Sequence, residues 1–426
     1  MPALLSSLID APAGHLAGAL ATRDDAAARC CLREWLARVP DHRSPLGRRH
    51  PLEYVLALAI CAFTAAGHDS PSAIAEWAGG CAEDTLAVLG GRRDPWARRI
   101  RAPSARTFAR VFTGLDAEAF NAALYGYLAT LPAGPAGALP AVTRHEREQR
   151  RAARAGPEPP GQLEQAAADG KTVRGAVRPD GSQVHLLSVL DVATGCVRAQ
   201  REIDAKTNEI PELAPALAHL DLTGAVVTLD ALHTQAETAR YLAGHKQAHY
   251  LMIAKGNQPG LLAAVASALA GPDKDFADVT WTETGTGHGR RERRSVRTAP
   301  AAGIAWPHAA QVFRIRRDAG PTHGPWTRKE IAFGITSLPA DLAGPRHLGI
   351  YARNHWAIEN REHYARDKTF GEDLQQIRTG NQPNAYAAIR NLVIGALRRT
   401  GYANIAHARR WHARDDRRIL TLYGYA

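Results

Sequence analysis

Beyond Leu163 the spacing of apolar residues changes from the three-and-four repeat of helices to the two-residue alternation of strands, which constrains the fold more than any other feature. EQAAADG (164–170), VHLLSVLD (184–191) and CVRAQREI (196–203) read as three consecutive strands. AVVTLD (225–230) and AHYLMIA (248–254) read as two more, separated by a helix over 236–242. Strands interleaved with helices specify an α/β core. Polar, glycine-rich, β-leaning segments between 271 and 338 predict a strand insertion, and helices resume near Pro345 and continue over 345–426 with a break at 380–383.

Ahead of this core the pattern from Pro12 to Leu131 is helical, interrupted at Pro40, Gly67, Gly79-Gly80 and Gly90-Gly91. An all-α N-terminal domain over 1–131 is expected. The Pro-, Gly- and Arg-rich stretch 132–160 then reads as a linker, and 161–426 as the α/β domain with a β-rich insertion about 271–338. A chain of 426 residues exceeds what one core usually organises.

Lys and Arg number 53 against 42 Asp and Glu, a net charge of +11 that suits a polyanionic partner. An Arg- and Ala-rich codon bias produces the same excess, so position has to decide. Five cysteines, Cys30, Cys31, Cys61, Cys81 and Cys196, show neither zinc-site spacing nor a secreted disulfide framework, which fits a reduced cytoplasm. The longest apolar stretch, 54–66, is too short to span a membrane and reads as a buried helix, and no basic segment precedes an apolar run at the N-terminus, so no secretory signal is expected.

Two acids stand at predicted strand ends: Asp169 in ADGKTVRGA and Asp230 in AVVTLD-ALHTQ. An Asp-Gly pair alone also suits a turn. A second carboxylate at the end of a second apolar strand favours a site, because open α/β sheets place ligands at that edge. In YARNHWAIENREHYARDKTFGED, helical spacing sets Trp356, Glu359, His363 and Arg366 near one face. A lone helical glutamate is usually a solvated group, but two strand-end aspartates and a helical glutamate match the oxygen ligands of two-metal phosphoryl chemistry. Arg366 and Lys368 are then candidates for contact with a phosphate.

DGKTVRGA, LDALHTQ, YLMIAKGNQPGL, GHGRRERR, NHWAIENREHYARDKTFGED and RTGNQPNAYAAIRNLVIGALR occur in this order. Together they resemble the ISAs-type transposases of bacterial insertion sequences, the group that includes the H-repeat-associated proteins. The likeness covers roughly 32–422, since DHRSPLGRRHPLEYVLALAICAFTAAGHDSPSAIAEWA is similar to the domain preceding the catalytic core in that group. The resemblance implies an RNase H-like core with a DDE triad at Asp169, Asp230 and Glu359, holding catalytic Mg²⁺ (Mn²⁺ substituting). It also implies strand cleavage at terminal inverted repeats, strand transfer into target DNA, a homo-oligomer on paired ends and a cytoplasmic, nucleoid-associated protein. The sequence departs from the superfamily's Tyr, Arg, Glu, Lys signature: His355 stands where Arg precedes the Glu, Arg353 lies two residues earlier, and Arg366 stands where Lys follows. A catalytically silent DNA-binding remnant and another RNase H-like metal nuclease share parts of the pattern.

The run GRRDPWARRIRAPSARTFAR (91–110) has seven arginines and one aspartate and leads into a helix expected near Ser104, with Arg106 and Arg110 on it. A helix-turn-helix over 72–112 is compatible with this spacing, as is a solvated surface. Lys255, Arg290, Arg291, Arg293 and Arg294 are further candidates for phosphate contact, beside Arg353 and His355. His233 and His288 read as hydrogen-bonding residues rather than ligands of a hard metal, and Trp356 as core packing. The C-terminal arginines, Arg390 and Arg409 among them, are expected on the basic face of an amphipathic helix pair.

Overall fold

The computed structural model describes residues 31–132, 161–203, 209–287 and 289–425. The expectations for 12–30, for all but the first residue of the linker and for His288 lie outside the described residues.

Among the described residues, six α-helices precede the sheet: α1 (Leu32–Leu36), α2 (Leu52–Thr64), α3 (Pro71–Gly80), α4 (Glu83–Val88), α5 (Ala105–Thr113) and α6 (Ala117–Thr130). Their starts carry ordinary signals. Ser70 Oγ accepts from Ala73 N with Pro71 at the first helical position, Ser104 Oγ accepts from Thr107 N, and Asp116 Oδ1 accepts from Ala119 N. α2 is buried along nearly its whole circumference, which explains its uninterrupted apolar composition.

The strands are β1 (Gln165–Val177), β2 (Gln183–Asp191), β3 (Cys196–Ile203), β4 (Val226–Leu229), β5 (His249–Ala254), β6 (Thr280–Gly287), β7 (Arg290–Pro300), β8 (Gln311–Pro321) and β9 (Arg328–Thr336). They form one sheet ordered β3-β2-β1-β4-β5-β9-β8-β7-β6. β1, β4 and β5 are parallel, and every other pairing is antiparallel. The four strands of the insertion therefore extend the core sheet through β5 and β9 rather than forming a separate one. Helices α7 (Glu209–Leu217), α8 (Ala236–Arg240) and α9 (Pro259–Ala268) accompany the parallel strands. α10 (Pro345–Asn354), a π-helical turn (Ile358–His363), α11 (Tyr364–Thr369), α12 (Gln382–Arg399), α13 (Ile405–His412) and α14 (Asp416–Leu422) complete the chain.

Strand alternation divides the core. Ala166 and Ala168 of β1 pack with Leu213, Leu217 and Val227 on one face, while Ala167 faces the other, among residues of α2, α6 and α12. That second core is continuous from Leu32 to Tyr423, so the N-terminal helices and the C-terminal helices share one interior. In place of the expected amphipathic pair there are three C-terminal helices. α12 is buried on all sides over Gln382 to Leu397, so Arg390 is an interior residue and not part of a wet face. Arg409 is buried as well, donating to the carbonyls of Phe63, Ala65 and Thr369.

Close packing across this interior gives a direct test. A Cβ at Gly395 in α12 would lie 2.5 Å from Leu128 Cδ2 of α6. Gly395→Ala is therefore expected to destabilise the protein by about 1–3 kcal/mol despite alanine's better helix propensity. Calorimetry should show one transition at a lower temperature, and an unchanged Tm would mean that these two helices are not jammed together.

Candidate metal centre and its surroundings

β1 does not end at Asp169, as the sequence predicts, but runs on to Val177. Antiparallel pairing with β2 continues to Val173↔Val184, whereas parallel pairing with β4 stops at Ala168↔Leu229. Asp169 is thus the first β1 residue beyond its parallel partner. Asp230, the residue after Leu229, stands beside it where the sheet splits. Alternation puts Asp169 and Lys171 on the face of Ala167. Asp230 is exposed, and its Oδ1 accepts from Leu232 N, capping the short turn Ala231–His233.

The helical acid arrives from the far end of the chain. After α10 the π-helical turn accommodates an extra residue per turn, which alters the phase expected of a regular helix. Glu359 and His363 point to Asp169: His363 Nδ1 is 3.2 Å from Glu359 Oε2 and 3.9 Å from Asp169 Oδ2. Donor atoms of Asp169, Glu359 and His363 all lie within 4.8 Å of one another. Asp230 belongs to the rim of this group, close enough that its charge raises the pKa of Asp169. Burial pushes the Asp169 carboxyl up to about 6, opposed by His363 and assisted by the Glu359 and Asp230 charges. The His363 hydrogen bond holds Glu359 below the usual carboxylate range, and that bond, with the nearby Glu362 and Asp169 charges, lifts His363 against the effect of burial.

Two carboxylates meet here with a third on the rim, one has its ionisation suppressed, and the buried Nε2 of His363 has no hydrogen-bond partner. A set of this kind is short of positive charge and fits a divalent cation. Sequence reasoning placed His363 on the right helix face without assigning it to the cluster. The signal available was its i+4 spacing from Glu359.

Other expectations need correction. Arg366 is fully buried and does not project with Glu359. Its Nε and Nη2 donate to Glu372 at 2.9 and 3.0 Å and its Nη1 to Glu362 Oε1 at 2.9 Å, so every terminus is committed and phosphate contact is excluded. Glu372 also binds Arg390, and Glu362 accepts from Ser188 of β2. Trp356 is 64% exposed rather than packed in the core. The cation that does reach the site is one the sequence reading passed over: Lys171, 7% exposed, with Nζ 2.7 Å from Asp367 and 3.4 Å from Asp373. It borders a cleft of about 430 Å³ together with Arg174, Glu359 and His363.

On the opposite face of β1, Glu209 binds both His185 and His233 and is held at about 2; burial opposes this, and the two imidazole hydrogen bonds prevail. His233 is therefore committed behind the site and absent from the donor cluster. Gly170 makes this approach possible, because a Cβ there would collide with Glu209 and His185.

Among the expected DNA contacts, Lys255, Arg290, Arg353, Lys368, Arg106 and Arg110 are exposed. Arg353 lies 3.4 Å from Glu283, Arg291 binds the Gly324 carbonyl and lies over Trp326, and Arg293 pairs with Asp318. His355 hydrogen-bonds Thr228 at 3.2 Å, and burial lowers its pKa, so it meets β4 as a neutral ring. Arg294 is partly buried near Arg353.

Residues 160–394 match the family described as Transposase DDE domain, and residues 33–128 match the one described as DDE_Tnp_1-associated. The chain is 31% identical over 230 residues to a Xanthobacter autotrophicus protein named "Uncharacterized protein in dhlA 3'region", covering 52% of this chain and 65% of that one. It is 25% identical over 388 residues to the "Putative transposase YncI" of Escherichia coli O157:H7, covering 86% and 87% of the two. Over 246 residues it is 28% identical to the "H repeat-associated putative transposase YhhI" of Escherichia coli K12, covering 54% and 63%. The chain thus spans just under two thirds of the first and third of these relatives.

The contrast between Arg366 and Lys368 is measurable. Arg366→Ala leaves Glu362 and Glu372 buried without their partner and should lower stability by about 3–5 kcal/mol in denaturant unfolding. Lys368→Ala, two residues on and exposed, should change it by less than about 0.5 kcal/mol. Equal effects would contradict the burial assigned to Arg366.

Proposed function

The chain belongs to the transposase DDE domain family, and on that premise we propose that it is the metal-dependent transposase of an insertion sequence. In this reading it cuts DNA strands at the element's terminal inverted repeats and joins the freed ends to target DNA. The observation that carries the reading is the approach of Glu359 and His363 to Asp169, with Asp230 beside Asp169 on the neighbouring strand end, at the point where β1 and β4 part.

The order β3-β2-β1-β4-β5, with β2 antiparallel and β1, β4 and β5 parallel, supports reading the core as RNase H-like. The helices over 32–130 would then supply DNA-binding surface, and the sheet with the helices over 345–422 the catalytic part, the two sharing one interior. Exposed Lys255, Arg290, Arg353, Lys368, Arg106 and Arg110 would contact phosphates, and the protein would act as a homo-oligomer on paired ends, in the cytoplasm and associated with the nucleoid. Among the described residues no helix is long and apolar enough to cross a membrane.

Asp169, Asp230 and Glu359 would hold Mg²⁺, with Mn²⁺ able to substitute, and His363 lies within reach of the same position. When bound, the cation supplies activation of the attacking water or 3′-hydroxyl and offsets charge on the leaving oxygen. The chain's own contribution is placement. β1 and β4 fix two carboxylates, the π-helical turn delivers the third, and His363 donates its Nδ1 proton to Glu359 while the site is unloaded. Protons on Asp169 and His363 would compete with the cation, so affinity would fall as pH drops. Lys171, pinned by Asp367 and Asp373, sets the edge of the cleft.

The decisive test is incubation of the protein with labelled DNA carrying the gene's flanking ends and Mg²⁺ or Mn²⁺. Wild type is expected to cleave at the ends, and Glu359→Gln to bind the same DNA with cleavage reduced at least a hundredfold. Binding without cleavage by both would point to a DNA-binding remnant instead.

A second expectation concerns pH. The folded Asp169 carboxyl titrates near 6 rather than 3.8, so proton uptake stabilises the metal-free fold as pH falls from about 6 to 4 and contributes nothing above 6. At pH 7.5 without metal, Asp169→Asn should therefore melt roughly 2–4 °C above wild type, the gap closing towards pH 4.5. Mg²⁺ or Mn²⁺ at pH 7.5 should raise the wild-type Tm and leave the variant's unchanged. A gap independent of pH would sink the assignment.

A further inference from the structure

We propose that the loop tip bearing Trp96, with the neighbouring turn bearing Leu46, forms an apolar wedge that inserts between base pairs of duplex DNA. The inference rests on the DNA-handling function proposed above and adds the place and manner of contact.

Leu46 and Trp96 are the most exposed large apolar side chains among the described residues, at 101% and 95%. Both lie in the N-terminal helical region, far in sequence from the acidic cluster. Asp94 ties them together. Its Oδ1 accepts from the backbone N–H groups of Trp96 and Ala97 at 2.9 and 3.0 Å, and its Oδ2 pairs with Arg49, three residues after Leu46, and with Arg101 at 3.5 Å. The Trp96 tip is a closed turn: Arg93 bridges Ile100, Asp94 N donates to Arg99 O, Arg98 N donates to Asp94 O, and Arg98 takes a left-handed φ of 52°. The Ala97 amide and Arg49 hold the Asp94 carboxyl at about 2, so the clasp is charged at neutral pH. Trp96 is thereby presented outward by a constructed scaffold.

The surroundings select the occupant. Arg92, Arg98 and Arg99 are exposed beside the tip, and α5 follows with exposed Arg106 and Arg110. A partner must offer flat apolar faces within a field of negative charge. Stacked base pairs between two phosphate backbones meet both demands, and apolar side chains that enter such a stack kink the duplex. Aromatic stacking supplies contact without sequence preference, while the arginines supply the phosphate attraction. An acidic protein surface would satisfy the arginines but would leave Trp96 without a stacking partner.

The test uses the full chain and a 30-base-pair duplex of the gene's flanking sequence, labelled at both ends for energy transfer. Wild type is expected to raise transfer efficiency by bending the DNA. Trp96→Ala should abolish the bend and weaken binding roughly tenfold, with the dependence of affinity on salt unchanged. The double change Arg98→Ala with Arg99→Ala should instead lower the slope of log K against log salt by about 2. Trp96→Ala that binds and bends as wild type does would overturn the wedge. So would a variant with normal DNA binding but altered sedimentation, which would mark a protein interface. Metal-dependent cleavage by wild type in the same samples separates the two proposals: cleavage with an inert Trp96 sinks only the wedge, and absent wild-type binding removes both.

Discussion

The buried ion-pair chain Glu362–Arg366–Glu372–Arg390 is the interaction on which the rest of this structure depends. Two carboxylates and two guanidinium groups have left water together, and their desolvation is offset only because nearly every donor finds an oxygen. Glu362 reaches Ser188 on β2, Asn391 donates to Glu362, and Arg390 comes from α12. The helix carrying Glu359 and His363 is thus bolted to the sheet on one side and to the C-terminal helices on the other. Fixed in this way, its exposed flank can hold Glu359 toward Asp169, although two like-charged carboxylates would otherwise move apart.

The π-helical turn makes this division possible. Glu359 and His363 turn outward to the acidic cluster, and Glu362 and Arg366 turn inward to the ion-pair chain, all within eight residues. A regular helix read from the sequence groups Glu359, His363 and Arg366 on one face. The sequence carries no local mark of the extra residue per turn, and the partner that draws Arg366 inside, Glu372, lies beyond a left-handed Gly371. Burial of Arg366 was therefore invisible to spacing arguments, as was exposure of Trp356.

The core strands were legible because burial on both faces leaves short, near-continuous apolar runs, clearest in β2, β4 and β5, and both aspartates were legible as acids beside apolar runs. The passage of β1 beyond Asp169 was not: DGKTVRGA is short of apolar residues, since Lys171 and Gly175 are matched to groups of the Asp367–Gln375 segment rather than to a generic core. Likewise the helical periodicity of the N-terminal region was readable, but its common interior with α12 to α14 was not. A fully apolar helix such as α2 shows that it is enclosed without saying by what.

The unbroken sheet has a metric consequence. Strands in a sheet are about 4.8 Å apart, and β7 lies five steps from β1 along the order β1-β4-β5-β9-β8-β7, so Thr298, the β7 residue that the registers set level with Asp169, is held about 24 Å from it. Duplex DNA rises about 3.4 Å per base pair, which makes that interval close to seven base pairs. Since hydrogen-bonded strands neither slide nor stretch, the sheet is a ruler of nearly constant length. A rod laid straight across the strands from the level of Thr298 would meet the acidic cluster after an interval set by counting strands, with Arg290 eight residues further along β7.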